Sequence, residues 1–216
     1  MEFLSAFVRI IARIIVEAIH RLVINVFDTL FGFLNWPKKK LRIKILILPV
    51  PGKDLVPSPA DLNEAIGHAI RTFKKNFNVE LLSHRNGPFV EILKATSPTE
   101  VLYTKGGPGA LGEEFKMAGN FFATNLSGRF YPVTTFVVVD IAGATGCSLG
   151  PISDYITLDH DGVKISSVLA HEVAHACGLW HVNDRSNLLY PNNNRGDKVK
   201  WWQKNFFRGS RHVTYW

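Results

Sequence analysis

The chain has 216 residues, of which 46% are hydrophobic and 20% are charged. These proportions are ordinary for a globular domain with a sizeable core, and they exclude a disordered or collagen-like chain. Two cysteines are too few for a disulfide-rich scaffold. No uncharged apolar run reaches the roughly 18 residues of a conventional transmembrane helix.

The net charge is +7, and most of the surplus lies in residues 36–44 and 195–216. A positive surplus favours anionic partners such as a membrane surface. A nucleic-acid-binding domain usually carries its charge along one face, whereas the middle of this chain is nearly balanced. Nucleic acid is therefore not expected as a partner.

Residues 3–34 are strongly apolar, but polar residues recur among them every three or four positions. This period predicts one long amphipathic helix with a narrow polar stripe and a wide apolar face. Pro37 ends the helix, because the residue before a proline is displaced from the helical region. The stripe comprises Ser5, Arg9, Arg13, Glu17, His20, Arg21, Asn25 and Asp28.

An apolar helix of this kind is not stable alone in water, so residues 1–36 are predicted to form a unit separate from residues 37–216. The unit lies in a membrane interface, packs on a protein partner, or serves as an export segment. Charges within the apolar region favour the membrane or a partner over a signal peptide. Trp36 followed closely by lysines suits the headgroup level of a bilayer. A membrane-associated or secreted protein is thus favoured over a freely cytoplasmic one.

In residues 37–216, strand and helix patterns alternate in an order typical of an α+β (α/β-like) domain with a mixed β-sheet. The apolar run at 134–141 indicates a central strand covered on both faces. The segment 165–177 indicates a helix that ends at Gly178. The other predictions, in chain order, are a strand at 41–48, a helix from Ser58 or Asp61 to about Asn76, strands at 79–82 and 89–93, a loop at 106–109, a helix at 113–125, a loop at 143–151, a strand at 155–158 and a C-terminal helix at 197–207.

The chemistry is concentrated in residues 171–181, which read His-Glu-Val-Ala-His-Ala-Cys-Gly-Leu-Trp-His. On a helix, His171 and His175 share one face, so both imidazoles can bind one metal ion. Gly178 permits a sharp turn that brings His181 back as a third ligand. Three neutral imidazoles leave the fourth position of a zinc ion open for water, as in catalytic zinc sites.

Glu172 lies beside these ligands, where a carboxylate can deprotonate the zinc-activated water and pass the proton to a leaving amine. The sequence therefore predicts a zinc-dependent endopeptidase with Glu172 as general base. Two alternatives stay open. One is a membrane-active or partner-binding protein driven by the N-terminal helix, with a latent zinc domain. The other is a silent zinc-binding module, which the intact Glu172 disfavours. Deletion of residues 1–36 would distinguish the endopeptidase from the membrane-active protein, because an endopeptidase is expected to keep cleaving peptides without the N-terminal helix.

The pattern HExxHxxGxxH resembles the signature of the metzincin clan of zinc endopeptidases. Residues 186–191, Ser-Asn-Leu-Leu-Tyr-Pro, resemble the Met-turn of matrix-metalloprotease-like members. The resemblance implies that Leu189 replaces the methionine of the hydrophobic base under the zinc, with a similar volume. It also implies that Tyr190 either lines the wall of the substrate pocket or donates a hydrogen bond that stabilises the oxyanion.

The resemblance also implies a twisted sheet in which the strand before the active-site helix lines the cleft and pairs with extended substrate. Residues 146–158, including 154–157, would have that role. Matrix-metalloprotease-like enzymes often carry a zinc-blocking cysteine in a propeptide, but no such motif precedes this domain. Either the enzyme is not made latent in this way, or a separate partner controls it.

Several further residues allow two interpretations each. Cys147 and Cys177 form a disulfide if the protein is secreted, or are separate thiols. Asp184 orients a zinc-binding imidazole or belongs to a plain turn. Asp140, Asp159 and Asp161 form a structural calcium site or are turn residues. His160 and His212 are surface or structural residues. The aromatic residues Trp201, Trp202, Phe206 and Phe207 are expected to pack in the core, which is favoured over contacts with a membrane or with single-stranded nucleic acid.

Overall fold

A computed structural model describes residues 2–50, 57–93, 102–105 and 132–216. The predicted loop at 106–109 and the predicted helix at 113–125 lie outside these ranges. Within them, no helix has the length and apolar content that crossing a membrane requires.

The strands are β1 (Lys39–Ile47), β2 (Val79–Ser83), β3 (Val90–Ile92), β4 (Tyr103–Lys105), β5 (Val133–Val137), β6 (Asp140–Ala142), β7 (Gly146–Ser148), β8 (Tyr155–Leu158) and β9 (Val213–Thr214). The α-helices are α1 (Glu2–Ile19), α2 (Val26–Phe31), α3 (Asn63–Phe77), α4 (Ser166–Ala176) and α5 (Trp201–Gly209). The α+β class, with a mixed sheet, an active-site helix and a C-terminal helix, is confirmed.

The main sheet runs in the order β2-β1-β5-β8-β7. The first four strands are parallel, and β7 is antiparallel to β8. Strand β1 is central because its apolar residues alternate with basic ones at its start and become continuous at its end, where Ile45, Leu46 and Ile47 are buried. At its two ends β1 also pairs with β3 and with β9.

Two strand predictions were wrong in detail. The apolar run predicted as one strand at 134–141 ends at Val137, and residues 140–142 form β6, which pairs with β4 in a second, two-stranded sheet. The predicted loop at 143–151 contains β7. Strand β8 is paired on both sides, so its backbone cannot bind an extended substrate. Among the described strands, β7 lies at the end of the main sheet. Within the predicted range 146–158, the strand at the end of the main sheet is thus β7 and not residues 154–157.

The largest core cluster joins the sheet to helices α3 and α4. The apolar stripe of α3 contributes Phe73 and Phe77, and Phe77 stacks on Phe207 with ring centroids 3.9 Å apart. Helix α5 thus closes one end of the core, as predicted for Phe207. Trp201 and Phe206 of the same helix are 65% and 37% exposed, which differs from the prediction of core packing.

The N-terminal segment is helical as predicted, but it is interrupted. After α1, residues His20–Ile24 form a π-helical turn, α2 follows, and a 3-10 turn at Gly32–Leu34 ends the segment. A Cβ atom on Gly32 would lie 2.9 Å from the Cα of Asn205, so only glycine permits this approach to α5.

The polar stripe of this segment faces the rest of the chain. Asp28 is fully buried and pairs with Lys39 and with Arg208, each at 2.9 Å, and its carboxylate accepts a hydrogen bond from the Tyr215 hydroxyl. Glu17 accepts from Arg211 at 3.2 Å. The apolar side chains of the segment are exposed instead.

The two cysteines are not joined by a disulfide bond, so of the two interpretations the structure supports separate thiols, and both of them are buried. Cys147 lies in β7, whereas Cys177 follows α4. Burial raises the pKa of the Cys177 thiol to about 12, so this thiol stays protonated at neutral pH.

Candidate metal centre

Helix α4 carries the first two histidines and ends in a turn that positions the third. Gly178 has a positive φ of +92°, which favours glycine. Its N–H donates to the carbonyl of His175 at 2.8 Å, and the N–H of Leu179 donates to the carbonyl of Ala174 at 3.0 Å. This C-terminal cap reverses the chain and brings His181 back toward the helix.

The three imidazoles converge on one point. The Nε2 atoms of His171 and His175 are 3.1 Å apart, and each lies 3.2 Å from Nε2 of His181. They form the metal-binding group found among the described residues. A tetrahedral zinc ion with bonds of about 2.0 Å holds its nitrogen ligands about 3.3 Å apart, so the spacing fits zinc.

Hydrogen bonds on the other ring nitrogens fix the tautomers of two ligands. Nδ1 of His171 donates to the carbonyl of Leu188 at 2.7 Å, and Nδ1 of His175 donates to the carbonyl of Leu179 at 2.6 Å. Neutral rings that donate through Nδ1 expose a lone pair at Nε2. Adjacent lone pairs repel one another unless a cation lies between them, which is a second reason why this donor set fits a metal ion.

The surroundings keep the imidazoles neutral. Burial, followed by the charge of His175, lowers the pKa of His171 to about 2, and burial lowers the pKa of His175 to about 4. The pKa of His181 is also lowered, through burial and the charge of Arg195. A neutral imidazole is the form that binds zinc.

Glu172 is buried beside these ligands and lies against the backbone of β7. A Cβ atom on Gly146 would lie 2.8 Å from Cγ of Glu172 and 2.9 Å from its Oε1. The glycine therefore makes room for the carboxylate. No sequence pattern indicates this role of Gly146, because the contact depends on how β7 packs on α4.

Arg195 is a second residue that sequence reasoning missed. Its charge lowers the pKa of all three histidines. Burial lowers the pKa of Arg195 itself, and the charge of Glu172 partly offsets this by raising it. Arg195 also donates to the carbonyl of Asn192 at 3.0 Å and to Oδ1 of Asn193 at 3.0 Å, which orders the loop after Tyr190. The site thus contains the cation Arg195 besides any bound metal.

The turn at 186–190 lies beneath the histidines. Leu189 is fully buried in the main core, and its carbonyl accepts from the N–H of Val182 at 3.0 Å. Asn187 exchanges two side-chain hydrogen bonds with Gln203 of α5, at 2.8 and 3.2 Å. The segment that resembles a Met-turn therefore connects the C-terminal helix to the ligand His171 through the carbonyl of Leu188.

The remaining candidates have local contacts. The hydroxyl of Tyr190 accepts from Asn192 at 3.3 Å. Asp184 accepts from the N–H and hydroxyl of Ser186, which is the plain-turn alternative. Asp159 accepts from the N–H of Gly162 and Asp161 pairs with Lys164, which gives no support to a calcium site. His212 is buried, and His160 is half-buried.

A cavity of about 430 Å³ opens beside His175 and His181. Its apolar walls include Trp180 and Phe206, and Arg21 from the N-terminal segment reaches its edge. The guanidinium of Arg21 donates to the carbonyl of Cys177 at 3.0 Å, just before Gly178. The N-terminal segment therefore contacts the end of the helix that carries the first two ligands.

A mixed sheet with an HExxHxxGxxH helix and three converging imidazoles defines a metzincin-like zinc metallopeptidase class. The family model described as Matrixin matches residues 61–205. The chain therefore belongs to the matrixin family of peptidases.

The fold is similar to the crystal structure of metalloproteinase-II from Bacteroides fragilis, with a TM-score of 0.53 and 13% identity. The match covers 80% of this chain and 53% of that one, so the chain spans about half the length of this structural relative. A search of curated protein sequences gives no significant match.

Proposed function

We propose that the chain is a zinc-dependent endopeptidase that hydrolyses peptide bonds in peptide or protein substrates. The observation that carries this proposal is the convergence of three Nε2 atoms, 3.1–3.2 Å apart, beside the buried carboxylate of Glu172. Membership of the matrixin family supports it.

His171, His175 and His181 would hold the zinc ion. When bound, zinc supplies a Lewis acid that polarises the peptide carbonyl and lowers the pKa of water toward neutrality. Glu172 accepts a proton from the attacking water and passes it to the leaving amine. The carboxylate of Glu172 interacts electrostatically with the guanidinium of Arg195.

The substrate backbone binds along β7. This strand pairs with β8 on one side, and Gly146 brings it against Glu172. An extended peptide added to β7 would therefore pass close to the general base. A large apolar substrate side chain fits the cavity lined by Trp180 and Phe206.

The test is cleavage of a diverse peptide mixture whose members are acetylated at the N-terminus and amidated at the C-terminus, read by mass spectrometry. An endopeptidase cleaves such peptides internally, whereas an exopeptidase needs a free end. Glu172→Ala is expected to lower the cleavage rate by about 100-fold or more, while the variant retains one zinc per chain.

Glu64→Gln is the matched control, because this exposed acid is in the first turn of α3, which carries none of the three metal-binding histidines. It should cleave like the wild type. A zinc-loaded wild type that cleaves no blocked peptide, or a Glu172→Ala variant that cleaves at the wild-type rate, would contradict the proposed mechanism.

A further inference from the structure

The N-terminal segment from residue 8 to residue 36 has an unusual arrangement of polarity. Of the side chains described there, every exposed one is apolar, and sixteen of these are large. The buried side chains are the polar ones, Glu17, His20, Asn25 and Asp28. An amphipathic helix that packs on its own domain normally has the opposite arrangement.

Polar contacts hold this orientation. Asp28 pairs with Lys39 and Arg208, and Glu17 pairs with Arg211. The amide of Asn25 donates to the carbonyl of Gly209 at 3.3 Å. The segment cannot turn its apolar face toward the domain without breaking these buried contacts, so another surface must cover that face.

We infer that the apolar face of residues 8–36 docks on an anionic lipid bilayer, with the segment lying in the membrane interface. Both acids of the described part of the segment are buried, so its exposed face carries no negative charge. Trp36 and Trp201 border the face and are 68% and 65% exposed, which suits the headgroup level. Lys200, next to Trp201, and Lys38, which pairs with Glu80, are exposed at the same border.

A second copy of the chain fits this face less well. In a symmetric dimer both faces would carry the same lysine border, and each molecule carries a net charge of +7, so the two molecules would repel each other. An anionic bilayer instead complements the basic border while covering the apolar side chains.

The docking face continues toward the histidine site through aromatic contacts. Phe33 meets Trp201 edge-on, with ring centroids 6.3 Å apart. The neighbouring Trp202 stacks on Trp180 at 5.3 Å, and Trp180 contacts Phe206 at 5.2 Å. Because Trp180 and Phe206 line the cavity beside His175 and His181, docking places this cavity near the lipid surface.

The test is flotation of the full chain with vesicles in a density gradient, since vesicle-bound protein rises whereas aggregated protein sinks. The wild type should rise with vesicles of equal parts phosphatidylcholine and phosphatidylserine, and less with phosphatidylcholine alone. Leu22→Ser combined with Val23→Ser changes two side chains that are 69% and 68% exposed. This pair should weaken vesicle binding by about tenfold and leave circular dichroism and peptide cleavage unchanged.

The matched control is Ile92→Ser combined with Tyr103→Ser, which removes exposed apolar side chains from β3 and β4. It should float like the wild type, and so should Glu172→Ala, because docking does not depend on catalysis. The inference is overturned if the wild type does not float, if the control pair loses binding equally, or if a soluble dimer forms that only Leu22→Ser with Val23→Ser dissociates.

Discussion

At the scale of single residues, the position of the proposed general base depends on a glycine in the neighbouring strand. A Cβ atom on Gly146 would lie 2.8 Å from Cγ of Glu172, closer than such contacts normally allow. Gly146→Ala must therefore displace the carboxylate or strand β7. We expect the kcat for peptide cleavage to fall by about 100-fold, since a displacement near 1 Å can cost that much. Zinc content should not change, because the three histidines are untouched.

Gly87→Ala is the control for this variant. Gly87 has ordinary extended backbone, and an added Cβ would meet its nearest neighbour, the carbonyl of His84, at 3.4 Å. This variant should retain the wild-type kcat. Unchanged cleavage by Gly146→Ala would mean that Glu172 does not act from the position seen here.

At the scale of secondary-structure elements, helix α2 is attached to α5 and β1 through one buried carboxylate. Asp28 forms ion pairs with both Lys39 and Arg208, and all three side chains are fully buried. Asp28→Asn keeps the shape but leaves two buried cations without their counter-charge. We expect the free energy of unfolding to fall by about 3–5 kcal/mol, measured by urea denaturation.

Asp161→Asn provides the same chemical change at an exposed ion pair. Asp161 pairs with Lys164 at 3.0 Å, and its side chain is 81% exposed. Solvent screens such a pair, so the denaturation midpoint should not shift measurably. An equally small effect of Asp28→Asn would show that the buried carboxylate does not hold α2 in place.

The elements also show what could be predicted from sequence. The ligand set was predictable, because His171, His175 and His181 are close in sequence and their spacing matches one helix and one turn. The stripe of Glu17, Arg21, Asn25 and Asp28 was predictable from its period. The direction in which the stripe faces was not, because hydropathy alone places apolar side chains inside.

The missing information lies in contacts that are distant in sequence. One partner of Asp28, Arg208, is 180 residues away, and one partner of Glu17, Arg211, is 194 residues away. Strand β7 has only three residues, and its pairing with β8 rather than its composition defines it. Gly146 and Arg195 belong to the site for the same reason, because packing and not spacing brings them to Glu172.

At the scale of the whole molecule, the contacts of the N-terminal segment change the result expected from deleting residues 1–36. The sequence predicts that residues 37–216 form a separate catalytic domain, which would keep its peptidase activity. The deletion, however, removes Asp28 from Lys39 and Arg208, and Glu17 from Arg211. The deletion thus removes buried polar contacts, and an average domain has a total stability of only about 5–15 kcal/mol.

We therefore expect the deletion variant to unfold at a markedly lower temperature than the full chain and to lose cleavage of blocked peptides. Thermal unfolding by circular dichroism and the peptide assay measure both effects on the same samples. Leu22→Ser combined with Val23→Ser is the control, because it changes only the exposed face of the segment and should retain both properties. A deletion variant that folds and cleaves like the full chain would establish residues 37–216 as an autonomous domain, and would limit the N-terminal segment to docking.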